Sequence, residues 1–449
     1  MPAVLGASQR LWRIGVRFAI WTSGCQMNRA DSDRLQAALQ LAGHEPAPPE
    51  EADLVILNAC VVRESAERRA VARLRALAGL KRKRPQLRIA LMGCLVGVRP
   101  PDDLPRRFPM VDAFFPPSAL EEVLAAFPGS RPVDTARLPH LDGARRPITA
   151  FLPVIYGCDN HCTYCIVPIR RGRERSRPVE EIVSEAECMV AQGVREITLL
   201  GQNVDAYGHD LPGQPTLAAL LHRLHEIEGL WRIRFLTSHP KDLSDDLISA
   251  VAELPKVCPD ISLPVQAGDD RLLRRMGRPY TVDAYRRLIE RIRATVPDVG
   301  LSTDVIVGFP GETEEEYQGT RRLLEEIRFD VVHIGAYSPR PGTAAARLPD
   351  DVPQEVKEKR RQELELLQEG IAAERNARYL GQSVPVLVED LHRGKWRGRT
   401  PQGKWCFFAD AVPRLGEIVW VRVRHTGPWS LQGDPMDGAP QVDRSNGLR

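Results

Sequence analysis

Between Arg17 and about Phe127, short apolar runs alternate with stretches whose apolar residues recur at helical spacing. Phe18–Ser23, Leu54–Ala59, Ile89–Gly93 and Val111–Phe115 read as strands with helical segments between them. That alternation predicts a doubly wound parallel α/β domain over residues 14–130. Pro128–Pro147 is rich in Pro, Gly and Arg, carries no apolar period, and reads as a linker.

A second series follows, with strands predicted at Leu152–Tyr156, Glu196–Leu200, Ile233–Thr237, Ile261–Val265, Leu301–Val307 and Val331–Tyr337. Six βα repeats predict an open partial (βα)6 barrel, smaller than the closed eight-stranded form. Gln354–Tyr379 is charged, with Leu364, Leu367 and Ile371 at helical spacing, and reads as a bridging helix that completes a unit over 147–380. From Val384 the texture changes to short β-rich runs, Val384–Val388, Trp405–Phe408 and Ile418–Val423, separated by Gly and Pro turns. They predict a small all-β barrel over 381–436. The last stretch, about fifteen residues, is polar and is expected to be disordered.

At 449 residues the chain is long enough for a sizeable core in each of three domains. No apolar run reaches the roughly 18 residues a membrane helix needs, and the apolar start at Phe18–Trp21 lacks a cleavage site. The expectation is a soluble, cytoplasmic protein with no membrane partner. Lys and Arg total 62 against 59 Asp and Glu, so net charge alone does not point to nucleic acid. Nine cysteines, an odd number, in a chain read as cytoplasmic favour metal binding or catalysis over disulfides.

Six of those cysteines carry information. Cys158, Cys162 and Cys165 form a C-x3-C-x2-C loop directly after the first strand of the second series. Three thiolates on a tight loop suit three irons of a 4Fe–4S cluster and leave the fourth iron open. A structural zinc site would want four closed ligands, with His161 as the one nearby candidate. Cys25, Cys60 and Cys94 lie far apart, yet each follows a predicted strand of the first domain. In a parallel sheet such ends line one edge, where ligands bind, so the three converge on one site, again with one iron open. Cys188, Cys258 and Cys406 lack such company and read as small buried hydrophobes.

A C-x3-C-x2-C loop after the first strand of a βα barrel resembles the radical S-adenosylmethionine superfamily. Three cysteines upstream and a β module downstream resemble its methylthiotransferases. Gly24-Cys25-Gln26-Met27-Asn28, Asn58-Ala59-Cys60 with Val62-Arg63-Glu64, and Gly93-Cys94 are similar to the MiaB-type members acting on isopentenylated adenosine. Arg171–Pro178, Gly201–Val204, Leu263–Gln266, Val307–Glu312 and Tyr337–Thr343 match as well, so the resemblance spans nearly the whole chain. Ala59, where many relatives have Thr, and Leu95–Arg99 depart from it without touching a cysteine.

The resemblance implies methylthiolation of the adenine C2 of N6-isopentenyladenosine next to the anticodon, position 37, in tRNA. It implies two 4Fe–4S clusters and S-adenosylmethionine as methyl donor and radical source. Cys158, Cys162 and Cys165 would serve the cluster that binds and cleaves S-adenosylmethionine, and Cys25, Cys60 and Cys94 the cluster that carries the sulfur. Tyr164, Gln202, Asn203 and Gln266 stand at strand ends or between ligands, where βα loops build a site, and are candidates to hold S-adenosylmethionine. The expected partners are a tRNA anticodon stem-loop, an electron donor such as a flavodoxin or ferredoxin, and a sulfide source, acting on a monomer.

Arg170, Arg171, Arg173, Arg175 and Arg177 place positive charge beside the second cysteine set, where phosphates could meet it. The β module resembles the RNA-binding TRAM domain, and it mixes Arg393, Lys395, Arg397, Arg399 and Lys404 with Trp396 and Trp405. Lys81–Arg84 is a basic run closing a helix, which reads as a favourable solvated end. Two alternatives remain: a methylthiotransferase acting on threonylcarbamoyladenosine or on a ribosomal-protein aspartate, and a zinc-containing RNA-binding protein that is not an enzyme. The Gln26-Met27-Asn28 wording disfavours the first; metal and acid-labile sulfide analysis separates the second.

Overall fold

The computed structural model describes residues 15–62, 64–127, 130–138, 147–436 and 438; half of the predicted linker and most of the polar C-terminal tail lie outside them. The chain packs as two compact units. One comprises the described residues of Met1–Leu230 with Phe235–Thr237 and Ser338–Leu348. The other comprises those of Trp231–Arg234, Ser238–Tyr337 and Pro349–Arg449.

The first unit opens with β1 (Arg17–Ser23), α1 (Gln26–Leu41), β2 (Glu45–Pro46), β3 (Leu54–Ala59), α2 (Glu64–Lys83), β4 (Arg88–Met92), α3 (Leu104–Arg107), β5 (Ala113–Phe115) and α4 (Leu120–Ala125). The sheet is parallel in the order β2-β1-β3-β4-β5. Every residue of β3 is buried because helices cover both faces. Val55, Leu57 and Ala59 pack with Leu74 and Leu77 of α2, while Leu54 and Ile56 pack with Leu35 and Leu39 of α1. Chain order reverses between β1 and β3, so their carboxyl ends flank the crevice where open α/β sheets take ligands.

The same unit continues with β6 (Thr149–Pro153), β7 (Ile155–Tyr156), α5 (Val167–Arg171), β8 (Arg175–Ser176), α6 (Val179–Ala191), β9 (Glu196–Leu200) and α7 (Leu217–His225), and holds the end of β10 (Arg232–Leu236). β6 and β9 pair in parallel. The single strand expected over Leu152–Tyr156 is two pieces. After Pro153, Val154 still donates to Leu200 O, but Ile155 and Tyr156 turn to pair antiparallel with Ser176 and Arg175.

The second unit holds α8 (Asp245–Glu253), β11 (Asp260–Ser262), α9 (Asp270–Arg275), α10 (Val282–Thr295), β12 (Gly300–Val307), α11 (Glu314–Ile327), β13 (Val331–Ala336) and α12 (Gln354–Ala377). β11, β12 and β13 are parallel neighbours. With β6, β9 and β10 they complete the six βα repeats read from the sequence. α10 buries Val282, Tyr285, Leu288, Ile289 and Ile292, one face at helical spacing, and Thr281 Oγ1 caps it by accepting from Ala284 N at 3.2 Å. β11 is shorter than the predicted Ile261–Val265, because Pro264 cannot donate to a ladder. Side chains take over: Tyr285 donates to Leu263 O at 2.7 Å and Tyr280 to Val265 O at 2.9 Å.

β14 (Ser383–His392), β15 (Lys395–Arg399), β16 (Trp405–Phe408), β17 (Ile418–Thr426) and β18 (Leu431–Pro435) form a closed barrel in the order β14-β15-β16-β18-β17. Alternate residues Val384, Val386, Val388, Val419, Val421 and Val423 fill it with Cys406, Phe408 and Leu431. Among the described residues no helix is long and apolar enough to cross a membrane.

Candidate active site

Cys25, Cys60 and Cys94 follow β1, β3 and β4 and meet at the carboxyl edge of the first sheet. Cys60 hydrogen-bonds both other thiols. Donating to its neighbours and being buried, it keeps its proton well above the usual thiol range. Cys25 and Cys94 receive those bonds, and although burial opposes them, Cys60 and the Arg171 guanidinium bring their thiols down to about 6 and about 7. Cys25 is also the residue from which α1 starts, and backbone N–H groups of Met27 and Asn28 support its thiolate.

The approach of these segments depends on glycine. Gly24 has φ +129°, and a β-carbon there would lie 2.2 Å from Cys60 Cβ. Gly93 has φ +95°, and a β-carbon would lie 2.4 Å from Asn58 Oδ1. Asn58, fully buried, donates to Asn28 O at 2.9 Å and Ser32 Oγ at 3.1 Å, tying β3 to α1.

The second set sits on one loop in the same unit. Gly157 has φ +74° and allows the approach of Arg173 O, which a β-carbon would meet at 2.0 Å. Cys158 N donates to Gly172 O at 3.2 Å and Cys165 N to Cys162 O at 3.0 Å. Asp159 and Glu174 bracket the loop: each backbone N–H donates to the other's carboxylate at 3.1 Å. Cys158 is buried, which raises its thiol, while Cys162 and Cys165 are half-buried and His161 is exposed.

Tyr164 is half-buried between Thr163, whose carbonyl accepts from Ala345 N at 2.8 Å, and Cys165. Gln202 and buried Asn203 follow β9 directly. Gln266, in the second unit, is buried with φ +72° and bridges to Val305. Thr237, after β10, holds φ +71°, a costly state for a β-branched residue and one that clusters at functional sites. Sequence reasoning missed Thr237, since nothing in composition announces a strained backbone. It read Asn28 only as part of a motif and passed over Asp31, although three-residue steps from the cap Cys25 carry both onto one face of α1.

The arginine run does not behave as a uniform phosphate surface. Arg171 and Arg177 are buried, Arg171 paired with Asp31 and Arg177 with Glu185 at 2.6 Å. A buried guanidinium held by a carboxylate has no free charge to offer RNA. Arg173 and Arg175 are exposed, the first paired with Asp159 at 2.8 Å and the second stacked 5.5 Å over Tyr156. In the small barrel Lys404 is buried against Asp330, Arg397 and Arg399 pair with Asp390 and Glu389, and both stack on Trp405 at 4.6 and 5.3 Å. Arg393 and Lys395 remain exposed. Lys81, closing α2, reaches Asp112 at 2.5 Å. Cys258 and Cys406 are buried, but Cys188 is half-buried, with its thiol against Gln192 and Arg137 O, because it lies on the outer face of α6.

Three family models match this arrangement: the Radical SAM superfamily over residues 152–324, the uncharacterized protein family UPF0004 over 17–116, and the TRAM domain over 377–436. A radical S-adenosylmethionine methyltransferase, TsrM, from Kitasatospora setae shares the fold with a TM-score of 0.54 at 15% identity, covering 74% of this chain and 75% of that one. Residues 152–324 thus form a radical S-adenosylmethionine domain. A protein of Roseiflexus sp. (strain RS-1), named tRNA-2-methylthio-N(6)-dimethylallyladenosine synthase, is 56% identical over 93% of this chain and 89% of its own length. One of the same name from Chloroflexus aurantiacus is 51% identical over 96% and 94%. The chain belongs to the tRNA-2-methylthio-N(6)-dimethylallyladenosine synthase family.

Proposed function

We propose that the chain transfers a methylthio group to the adenine C2 of N6-isopentenyladenosine next to the anticodon, position 37, of tRNA. Its cofactors are two 4Fe–4S clusters and S-adenosylmethionine. The observation that carries this reading is the meeting of Cys25, Cys60 and Cys94 from three strand ends, in a chain 56% identical to a relative of that name. The same relative favours this target over threonylcarbamoyladenosine or a ribosomal-protein aspartate. The donor chemistry fits: two thiols of the triad are poised as thiolates beside a buried cation, and three more share one loop.

Cys25, Cys60 and Cys94 would hold one cluster, and Cys158, Cys162 and Cys165 the other. Bound there, the clusters and S-adenosylmethionine supply the one-electron chemistry, sulfur and methyl that no side chain can. Gly24 and Gly93 let the three segments close together. Tyr164, Gln202 and Asn203 contact S-adenosylmethionine. Arg173, Arg175, Arg393 and Lys395 are among the exposed cations available to phosphates of the anticodon stem-loop. Residues 14–130 carry the sulfur site, 147–380 the S-adenosylmethionine site and 381–436 an RNA-binding TRAM-like barrel. The chain works in the cytoplasm as a monomer, with a flavodoxin or ferredoxin as electron donor and a separate sulfide source.

The test is turnover by the reconstituted protein with reductant, sulfide and S-adenosylmethionine on two anticodon stem-loops, prenylated and unprenylated. The methylthio product is expected from the prenylated one. Equal modification of both, or of neither, contradicts the substrate assignment.

A further inference from the structure

We propose that Arg171 sets the reduction potential of the cluster held by Cys25, Cys60 and Cys94, an inference that rests on the reading of those residues as its ligands. Arg171 ends α5, in the segment immediately beyond the other cysteine loop, yet its side chain is only 3% exposed and lies at the first triad. It hydrogen-bonds the Cys94 thiol. Its Nη2 also donates to Asn28 Oδ1 at 2.7 Å, and that oxygen stands 3.7 Å from Cys25 Sγ. Asn28 Oδ1 accepts from both Arg171 and the Cys25 thiol, so the guanidinium charge is held beside Cys25 as well as Cys94.

The segment is fixed against the Cys94 loop. Val98 N donates to Arg170 O at 2.9 Å, and a β-carbon on Gly97 would lie 3.1 Å from Arg170 Cδ. Asp31 holds the far side of the guanidinium at 3.4 Å, and Ser118 Oγ accepts from Nη1 at 3.3 Å. Reduction adds negative charge to a cluster, and hydrogen bonds to its sulfurs and a nearby cation stabilise the reduced form. Burial leaves that effect only weakly screened by salt. The helix that follows one cysteine loop thus supplies the charge that tunes the cluster on the other set.

The test uses the full chain with Cys158→Ala, Cys162→Ala and Cys165→Ala, so that only the first cluster gives an electron paramagnetic resonance signal during redox titration. Arg171→Lys keeps the charge and is expected to hold the parent midpoint. Arg171→Gln with Asp31→Asn removes the pair without orphaning a buried carboxylate, and is expected to shift the midpoint to more negative potential. A loaded double variant at the parent midpoint overturns the proposal. A parent that binds no iron removes the ligand assignment itself. Should the double variant not load, pulsed resonance on the parent grown with [15N]arginine decides: a nitrogen coupling to the reduced cluster that is lost in Arg171→Lys supports the proposal, and its absence in the parent overturns it.

Discussion

The ammonium of Lys404 lies 2.8 Å from Asp330 Oδ1, with the two side chains 8% and 4% exposed. Arg375 reaches Asp330 Oδ2 at 2.9 Å, and Leu301 N donates to the same oxygen at 3.1 Å. Burial works against ionisation here, yet Lys404 and Arg375 outweigh it and hold the carboxyl below its usual range. This one carboxylate ties β12, α12 and the small barrel together within the second unit. Asp330→Asn leaves buried Lys404 and half-buried Arg375 without their counter-charge and is expected to cost about 3 kcal/mol. Adding Lys404→Met to it should cost much less than the sum of the single changes. Thermal unfolding of the four proteins of this cycle measures the coupling.

Gly24→Ala tests the closeness of the first triad. The added methyl would collide with Cys60 Cβ, and the backbone at φ +129° disfavours any L side chain. The expected outcome is a loss of roughly 2 kcal/mol or more together with loss of iron from the first triad only. Iron per chain, counted in backgrounds lacking one triad or the other, reads this directly.

The two cysteine sets should fail differently. Cys162→Ala is expected to abolish both reductive cleavage of S-adenosylmethionine and methylthiolation. Cys60→Ala is expected to spare the cleavage, seen as 5′-deoxyadenosine, while yielding no methylthiolated RNA. Identical loss of cleavage in both variants would contradict the division of labour.

Glu312 gives the fold a pH dependence. Its side chain is buried, Oε1 has no hydrogen-bond partner among the described residues, and Oε2 accepts from Gly308 N and from Arg360 at 2.8 Å. Burial outweighs Gly308 and Arg360, with Glu316 adding repulsion, and pushes the carboxyl from 4.5 up to about 7. The folded chain therefore holds this proton at pH values where the unfolded chain has lost it. That contribution, roughly 3 kcal/mol at most, is complete below about pH 4.5 and is lost as pH rises through about 7. The melting temperature should fall over this window, and fall less in Glu312→Gln.

Buried parallel strands were legible because both faces are apolar: Leu54–Ala59 and Glu196–Leu200 have the bounds their patterns predict. The convergence of Cys25, Cys60 and Cys94 was legible for a related reason, since strand ends in a parallel sheet share one edge. Arg171 and Lys404 were not. A cation within a basic run reads as solvated, and what buries each is a carboxylate far away in sequence, Asp31 and Asp330. The break between Pro153 and Ile155 was hidden because Ile155 and Tyr156 are as apolar as the strand before them, while their partners, Arg175 and Ser176, carry no strand signal.

The most direct test of the central claim is mass spectrometry of tRNA nucleosides from cells lacking this chain, restored with the parent gene or with Cys162→Ala. Methylthio-isopentenyladenosine should vanish, its unthiolated precursor should accumulate, and only the parent gene should reverse the change. A nucleoside profile unaltered by the loss, in cells with no second enzyme of this kind, would contradict the account.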